Sequence, residues 1–169
     1  MQEIFILRHG KAEDLNEATH SSDFDRNLTP EGKEKIERLS VFFNSLKEES
    51  SMVLSSPYNR AKQTAETFIN NVIPKPDLEI VDFLSCGTSS KDISRGLLQY
   101  SSHNKILLVG HAPDLETFLG KIIGGIQIKL KKGALAKVTL KSNIELSGEL
   151  EWLVTTKIVK KLKSKKLGN

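Results

Sequence analysis

Short apolar runs alternate along this chain with amphipathic segments, and this alternation predicts the order of its strands and helices. Three continuous apolar runs are typical of strands buried on both faces: residues 4–7, 52–54 and 105–109. Weaker patterns predict three further strands: residues 78–81, 134–140 and 150–155. The first, second and fourth of these six segments in chain order lead directly into residues that carry chemistry, as described below.

Apolar residues at helical spacing fill the segments between the strands. Thr29-Pro30 is a typical helix start, with a capping side chain followed by proline at the first helical position. Gly124-Gly125 is a typical helix end, where glycine adopts a left-handed conformation. Four helical segments are predicted from their apolar positions: Ile36 to Leu46, Ala61 to Val72, Ile93 to Leu98, and Leu115 to Ile123.

Strands that alternate with helices in this way predict an α/β fold. We expect a three-layer sandwich with a mostly parallel central sheet, helices on both faces, and the late strands antiparallel at one edge. No internal repeat or linker divides the body, so residues 1–156 are expected to form a single domain. In open sheets of this kind ligands bind at the carboxyl ends of the strands.

Composition narrows the protein class. The chain has 169 residues, of which 38% are hydrophobic, which suits one ordinary domain. No apolar run approaches the roughly 18 residues of a membrane span, and the start MQEIFILRHG does not resemble a secretory signal. The single cysteine, Cys86, excludes an internal disulfide and a multi-cysteine zinc site. These features favour a cytoplasmic protein without a membrane span.

The net charge of +4 comes from the C-terminal residues 157–169. Six lysines lie there without an acidic residue, and the other residues carry 19 basic against 21 acidic side chains. Such a tail can hold a protein near nucleic acid or an anionic membrane. We favour instead a solvated basic tail that aids solubility, because polybasic stretches often arise by chance.

Arginines and histidines follow three of the predicted strands. Arg8 and His9 come after the first strand, Arg60 begins the helix after the second, and His111 follows the 105–109 strand. These side chains, together with nearby helix N-termini, suit a multiply charged tetrahedral anion, most simply phosphate. Neighbouring positive charge is expected to lower the pKa of a histidine, and a neutral imidazole can attack phosphorus. Each residue alone has a structural alternative, but the coincidence of all four favours a phosphoryl site.

These residues lie in motifs that resemble those of the histidine phosphatase (phosphoglycerate mutase-like) superfamily. LRHG at residues 7–10 resembles its signature, SSPYNRAKQTA at 55–65 its second block, and VGH at 109–111 its third. The match is closer to the SixA-type phosphohistidine phosphatases. Four segments resemble the corresponding segments of these proteins: RHGKAE at 8–13, DRNLTPEG at 25–32, GHAPDLE at 110–116 and KGALA at 132–136. The resemblance implies a phosphoglycerate mutase-like fold.

The resemblance also implies roles for individual residues. His9 is expected to be the transiently phosphorylated nucleophile, next to Gly10. Arg8 and Arg60 are expected to clamp the phosphoryl oxygens, and His111 to donate a hydrogen bond to one of them. Arg26, before the LTP helix start, is a candidate further phosphate or substrate contact.

The residue that protonates the leaving group is less certain than these four. By position Asp82 is the nearest counterpart of the superfamily's carboxylic acid, although glutamate is more usual there; a solvated loop carboxylate is the equal alternative. Phosphohistidine needs such an acid less, because its imidazole leaves neutral when the ring is already protonated. No metal or other cofactor is implied.

Two kinds of phosphorylated partner fit these residues. The short chain leaves little room for a lid, which favours protein-bound phosphohistidine, such as that of a histidine phosphotransfer domain. A phosphatase for a small phosphorylated metabolite is the first alternative. A catalytically idle domain that binds phosphorylated partners is the second, and the intact Arg8, His9, Arg60 and His111 argue against it.

Overall fold

The computed structural model of the chain describes residues 2–16, 21–142 and 147–166. Its strands, within these residues, are β1 (Glu3–Arg8), β2 (Met52–Ser55), β3 (Asp77–Ile80), β4 (Lys105–Gly110), β5 (Leu135–Ser142) and β6 (Ser147–Val154). Its α-helices are α1 (Pro30–Ser45), α2 (Asn59–Ile69), α3 (Ser90–Leu98), α4 (Asp114–Ile122) and α5 (Thr156–Lys166). Short 3-10 turns lie at Asp23–Asp25 and Asp82–Leu84.

The strands form one mixed sheet in the order β3-β2-β4-β1-β5-β6. The first four strands in the chain run parallel, while β5 pairs antiparallel with β1 and β6 antiparallel with β5. The prediction of an α/β fold with antiparallel late strands at an edge is therefore confirmed. Because β5 runs against β1, the residues that precede β5 arrive at the carboxyl end of β1.

Alternating side chains of the central strands pack against helices on opposite faces of the sheet. Ile4 and Ile6 of β1 pack in a core with α3 and α4, whereas Phe5 and Leu7 pack in a second core with α1, α2 and α5. All four β1 side chains are fully buried. A strand with both faces covered must be apolar at every position, which explains the continuous apolar runs of β1 and β4. The predicted three-layer sandwich is confirmed.

Helix α1 begins where its capping signal predicts, and its first turn packs against the loop after β1. The Thr29 hydroxyl accepts a hydrogen bond from the Gly32 amide at 3.0 Å, and Pro30 takes the first helical position. A Cβ on Gly32 would lie 2.2 Å from the Lys11 carbonyl oxygen. Only glycine therefore allows this helix to approach the backbone that carries the residues after His9.

The lysine-rich end is more ordered than its composition indicates. The expected division between residues 156 and 157 falls inside α5, so residues 157–166 are helical; residues 167–169 lie outside the described part. Val159 of α5 is only 1% exposed and belongs to the core on the α1 and α2 face. One buried valine among lysines was too weak a periodic signal to predict this packing. Like the other helices of the described residues, α5 is not long and apolar enough to cross a membrane.

Candidate active site

The carboxyl ends of β1, β2 and β4 meet at one edge of the sheet. Arg8 lies opposite Gly110 in the β1–β4 ladder, and Ser55 lies opposite Val109 in the β2–β4 ladder. The residues that follow these strands are therefore neighbours. The rings of His9 and His111, a hundred residues apart in sequence, have centroids 5.2 Å apart.

His9 is held in a single orientation and tautomer. Its main-chain amide donates to the Gly110 carbonyl at 2.9 Å, and its Nδ1 lies 2.8 Å from the Gly10 carbonyl oxygen. A carbonyl only accepts, so Nδ1 carries the proton and Nε2 carries the lone pair. The Gly10 amide in turn donates to the Thr64 hydroxyl at 3.0 Å. His9 is thus arranged as a nucleophile whose reactive nitrogen is Nε2.

His111 is oriented by Ser56. The Ser56 hydroxyl lies 2.7 Å from His111 Nε2 and also accepts the Tyr58 main-chain amide at 3.3 Å. His111 Nδ1 is buried and has no hydrogen-bond partner among the described residues. In the tautomer in which Ser56 donates to Nε2, this Nδ1 carries the ring proton, and a neutral His111 then offers an unused N–H donor next to the His9 ring.

Arg8 is anchored through the loop that precedes β5. One of its terminal nitrogens donates to the Leu130 carbonyl at 2.6 Å, while the Leu130 amide donates to the Glu116 carboxylate at 2.8 Å. Glu116, in the first turn of α4, thus holds the amide of the residue whose carbonyl binds Arg8. The Nε of Arg8 is buried and has no partner in the described part of the chain. It is a second unused donor in this cluster.

Arg60 lies in the first turn of α2 and is almost fully buried. It donates to the Asp23 carbonyl at 2.7 Å, to the Asp23 carboxylate at 2.8 Å and to the Cys86 sulfur at 3.2 Å. An arginine has five N–H groups, so two remain for an anion. Arg26 does not contact Arg60 directly: it donates to the other Asp23 carboxylate oxygen at 2.7 Å and to the Glu13 carbonyl at 2.6 Å. Through Asp23, Arg26 helps to position Arg60.

Both histidines are neutral at ordinary pH. Burial is the largest cause that lowers the pKa of His9 to about 3; the Gly10 carbonyl opposes this, and the charges of His111, Arg60 and Arg8 add to it. Burial, followed by the charge of Arg60, likewise lowers the pKa of His111 to about 4. The lowering predicted for His9 is therefore confirmed in direction, but desolvation exceeds the effect of neighbouring charge.

Asp82 is not brought to this cluster by any contact. It lies in the turn Asp82–Leu84 after the edge strand β3, with an exposed side chain. No hydrogen bond or ion pair of its carboxylate is found within the described residues. Asp23 is a carboxylate beside the cluster; burial opposes its ionisation, but its bonds to Arg26 and Arg60 keep its pKa below the usual range. Its ionised form makes it a poor proton donor, so the donor role of Asp82 stays a prediction.

Sequence reasoning missed four contributors to the site. Ser56 and Thr64 lie inside the second motif, and their positions at a strand end and one helical turn after Arg60 are the signal that predicts them. Asp23 and Glu116 act over long sequence separations, which no local spacing reveals. Among the described residues no group of three or more His, Cys, Asp or Glu side chains is placed to hold a metal ion.

Two neutral histidines and two anchored arginines lie together at the carboxyl edge of a mainly parallel sheet, and this arrangement of an α/β protein suits the binding of a phosphoryl anion. Residues 4–86 match the family model of the histidine phosphatase superfamily (branch 1). In sequence motifs and in fold the chain is therefore similar to phosphatases of this superfamily, and it is SixA-like.

The structure of the protein histidine phosphatase SixA complexed with tungstate matches at a TM-score of 0.83 and 25% identity, over 94% of this chain and 99% of that chain. The alpha-ribazole phosphatase of Shigella flexneri shares the fold, with a TM-score of 0.70 and 15% identity over 92% of this chain and 97% of that chain. An uncharacterised protein of Picosynechococcus sp. is 29% identical over 138 residues, covering 79% of this chain and 82% of the relative.

The low histidine pKa values predict how stability depends on pH. Between about pH 6.5 and pH 4 the unfolded chain protonates His9 and His111 while the folded protein does not. The free energy of unfolding should therefore fall as the pH is lowered through this window, by up to about 1.4 kcal/mol per pH unit for each histidine. Denaturant titrations at a series of pH values measure this slope. In His9→Gln the dependence of the free energy of unfolding on pH should become weaker, because one of the two buried histidines is gone. An unchanged dependence in this variant would contradict the burial of a neutral His9.

Proposed function

We propose that this protein is a metal-independent phosphohistidine phosphatase that acts on a protein such as a histidine phosphotransfer domain. The observation that carries the phosphoryl site is the pair of buried, unpartnered nitrogens, Arg8 Nε and His111 Nδ1, on residues that adjoin His9 in sequence or in space. Buried donors without partners cost free energy, so their presence favours a ligand rich in acceptor oxygens.

The proposed reaction has two displacements at phosphorus. His9 Nε2 attacks the phosphorus of the substrate, its P–N bond breaks, and the substrate imidazole leaves neutral when its other ring nitrogen already carries a proton. Water then attacks the phosphorus of phospho-His9, which releases His9 and yields inorganic phosphate that retains the water oxygen. Arg8, Arg60 and the His111 N–H bind the phosphoryl oxygens and stabilise their charge in both transition states.

Two features support a protein as the substrate. The chain between α2 and β4 holds β3, α3 and a short turn, and no additional lid element is found there. The loop that anchors Arg8 carries Lys129, Lys131 and Lys132, whose side chains are exposed at the rim of the site. A site without a lid can accept the surface of a folded domain. Exposed lysines around it, called here the lysine rim, favour a partner with an acidic surface around its phosphohistidine. The absence of a contact between a proton-donating carboxylate and the described cluster also fits the easily released imidazole of phosphohistidine.

The test compares kcat/KM for a phosphorylated histidine phosphotransfer domain, an aryl phosphate and 3-phosphoglycerate, without added metal. We expect the phosphoprotein to be preferred by about tenfold or more. Preference for 3-phosphoglycerate or the aryl ester would contradict the proposed substrate and leave the superfamily chemistry standing.

A charge-reversed variant is the matched control in the same experiment. Lys131→Glu with Lys132→Glu should reduce kcat/KM for the phosphoprotein and lower its dependence on salt, because steering by surface charge is screened by ions. The aryl phosphate is too small to contact the rim and should be hydrolysed at the wild-type rate. Equal loss on both substrates would contradict a docking role of these lysines.

A further inference from the structure

Tyr58 places an aromatic ring against two of the phosphoryl-binding side chains. Its ring meets the His111 ring edge-to-face at a centroid distance of 5.0 Å, and the Arg60 guanidinium carbon lies 4.9 Å from its centroid. Tyr58 is only partly buried and belongs to neither hydrophobic core. The ring therefore borders the cluster rather than the interior of the fold.

Phe24 extends this surface toward solvent. Its ring centroid lies 4.8 Å from that of Tyr58, with the planes inclined at 47°. Phe24 is 41% exposed and also belongs to neither core. The turn Asp23–Asp25 holds it in place, because the neighbouring Asp23 binds Arg60 through both its carbonyl and its carboxylate. Phe24 and Tyr58 form a continuous aromatic wall from His111 to the solvent.

The position of this wall determines what can lie against it. A phosphoryl group held by Arg60 and His111 brings the remainder of its substrate to the side of these residues that faces solvent, where the two rings lie. Aromatic rings pack favourably against other planar rings in offset or edge-to-face arrangements. Apart from the Tyr58 hydroxyl, they offer no hydrogen-bond partner to the hydroxyl groups of a polyhydroxy alkyl chain, which loses water against the ring faces without compensation.

We propose that Phe24 and Tyr58 form a leaving-group subsite that takes planar unsaturated rings in preference to polyhydroxy alkyl groups. The imidazole of phosphohistidine and the ring of an aryl phosphate share this chemistry. The inference rests on the proposed function, and it names the part of the site that recognises the group being released. Selection by the wall acts on the ring next to phosphorus and is separate from any docking of a protein surface on the lysine rim.

Three small substrates test the subsite: phosphoimidazole, phenyl phosphate and glycerol phosphate. The quantity measured is the ratio of kcat/KM for each ring substrate to that for glycerol phosphate. In Tyr58→Leu and in Phe24→Leu this ratio should fall by about tenfold or less, as expected for the loss of one aromatic contact. Tyr58→Phe and Phe24→Tyr are the matched controls, because they keep the ring, and they should keep the wild-type ratio.

The outcomes separate this inference from the proposed function. If phosphoprotein is hydrolysed but the ratio is the same in the wild type and both leucine variants, the subsite is wrong and the proposed function stands. If phosphoprotein is a poor substrate while the ratio still depends on Tyr58 and Phe24, the subsite is supported and the proposed substrate is wrong. Should Tyr58→Leu fail to fold, the partly exposed Phe24→Leu alone decides, and a ratio retained in it overturns the inference.

Discussion

His9→Ala is expected to lower phosphate release from every substrate by about 10³-fold or more, because it removes the nitrogen that accepts the phosphoryl group. The geometry identifies the nitrogen that this variant removes. His9 Nε2 is the lone-pair nitrogen left after Nδ1 donates to Gly10, and its pKa of about 3 keeps it unprotonated at neutral pH. Steady-state release of inorganic phosphate from an aryl phosphate is the measurement.

A second readout distinguishes loss of the nucleophile from loss of structure. The wild-type protein, quenched under alkaline conditions, should carry labelled phosphate on His9 during turnover, and His9→Ala should carry none. His103→Ala is the matched control: this histidine precedes β4, at the end of the sheet opposite the cluster, and its loss should preserve activity. Substantial phosphate release by a folded His9→Ala protein would contradict the covalent mechanism.

Arg60→Ala is expected to lower kcat/KM by about 10²- to 10³-fold, the usual cost of removing one strong donor to a developing oxyanion. Three N–H groups of Arg60 are taken by Asp23 and Cys86, so the guanidinium is held rigidly and the other two point to no described acceptor. Arg60→Lys should recover little activity, because an ammonium group cannot keep the Asp23 contacts and bind two phosphoryl oxygens in the same plane. The measurement is kcat/KM on an aryl phosphate, with thermal unfolding as the check on structure.

Arg26→Ala is the matched comparison for Arg60. Arg26 contacts the Asp23 carboxylate, while Arg60 keeps its own bonds to Asp23. The loss in Arg26→Ala should therefore be much smaller than in Arg60→Ala. Equal losses would remove the distinction drawn between the two arginines and would contradict a merely supporting role of Arg26.

The elements nearest the site were predictable because their signals are local. The apolar runs of β1 and β4 follow from burial on both faces, and the start of α1 follows from Thr29-Pro30. The helix end at Gly124 and Gly125 also lies where predicted, with φ values of +104° and +83°. Each of these features depends on a few adjacent residues, so the chain reveals it without knowledge of the fold.

Contacts between distant segments account for what was missed. Val159 is buried only because α5 packs in the same core as α1. Because lysines surround it in the sequence, no periodic apolar pattern marks it as a core residue. Asp23 reaches Arg60 across 37 positions, and Glu116 reaches the Leu130 amide across 14. Asp82 matched the expected position of an acid in the sequence, yet it lies exposed after an edge strand without a contact to the cluster.

The sequence by itself determined the α/β class and the order of the six strands and the first four α-helices, and it predicted that Arg8, His9, Arg60 and His111 lie at one edge of the sheet. It could do so because local periodicity predicts strands and helices, and because parallel strands bring their carboxyl ends to one edge. Only the tertiary structure decided which ring nitrogen is reactive, which donors are unpartnered and which aromatic rings border the site. Those properties depend on distances and burial between segments far apart in the chain, and spacing along the sequence carries no information about them.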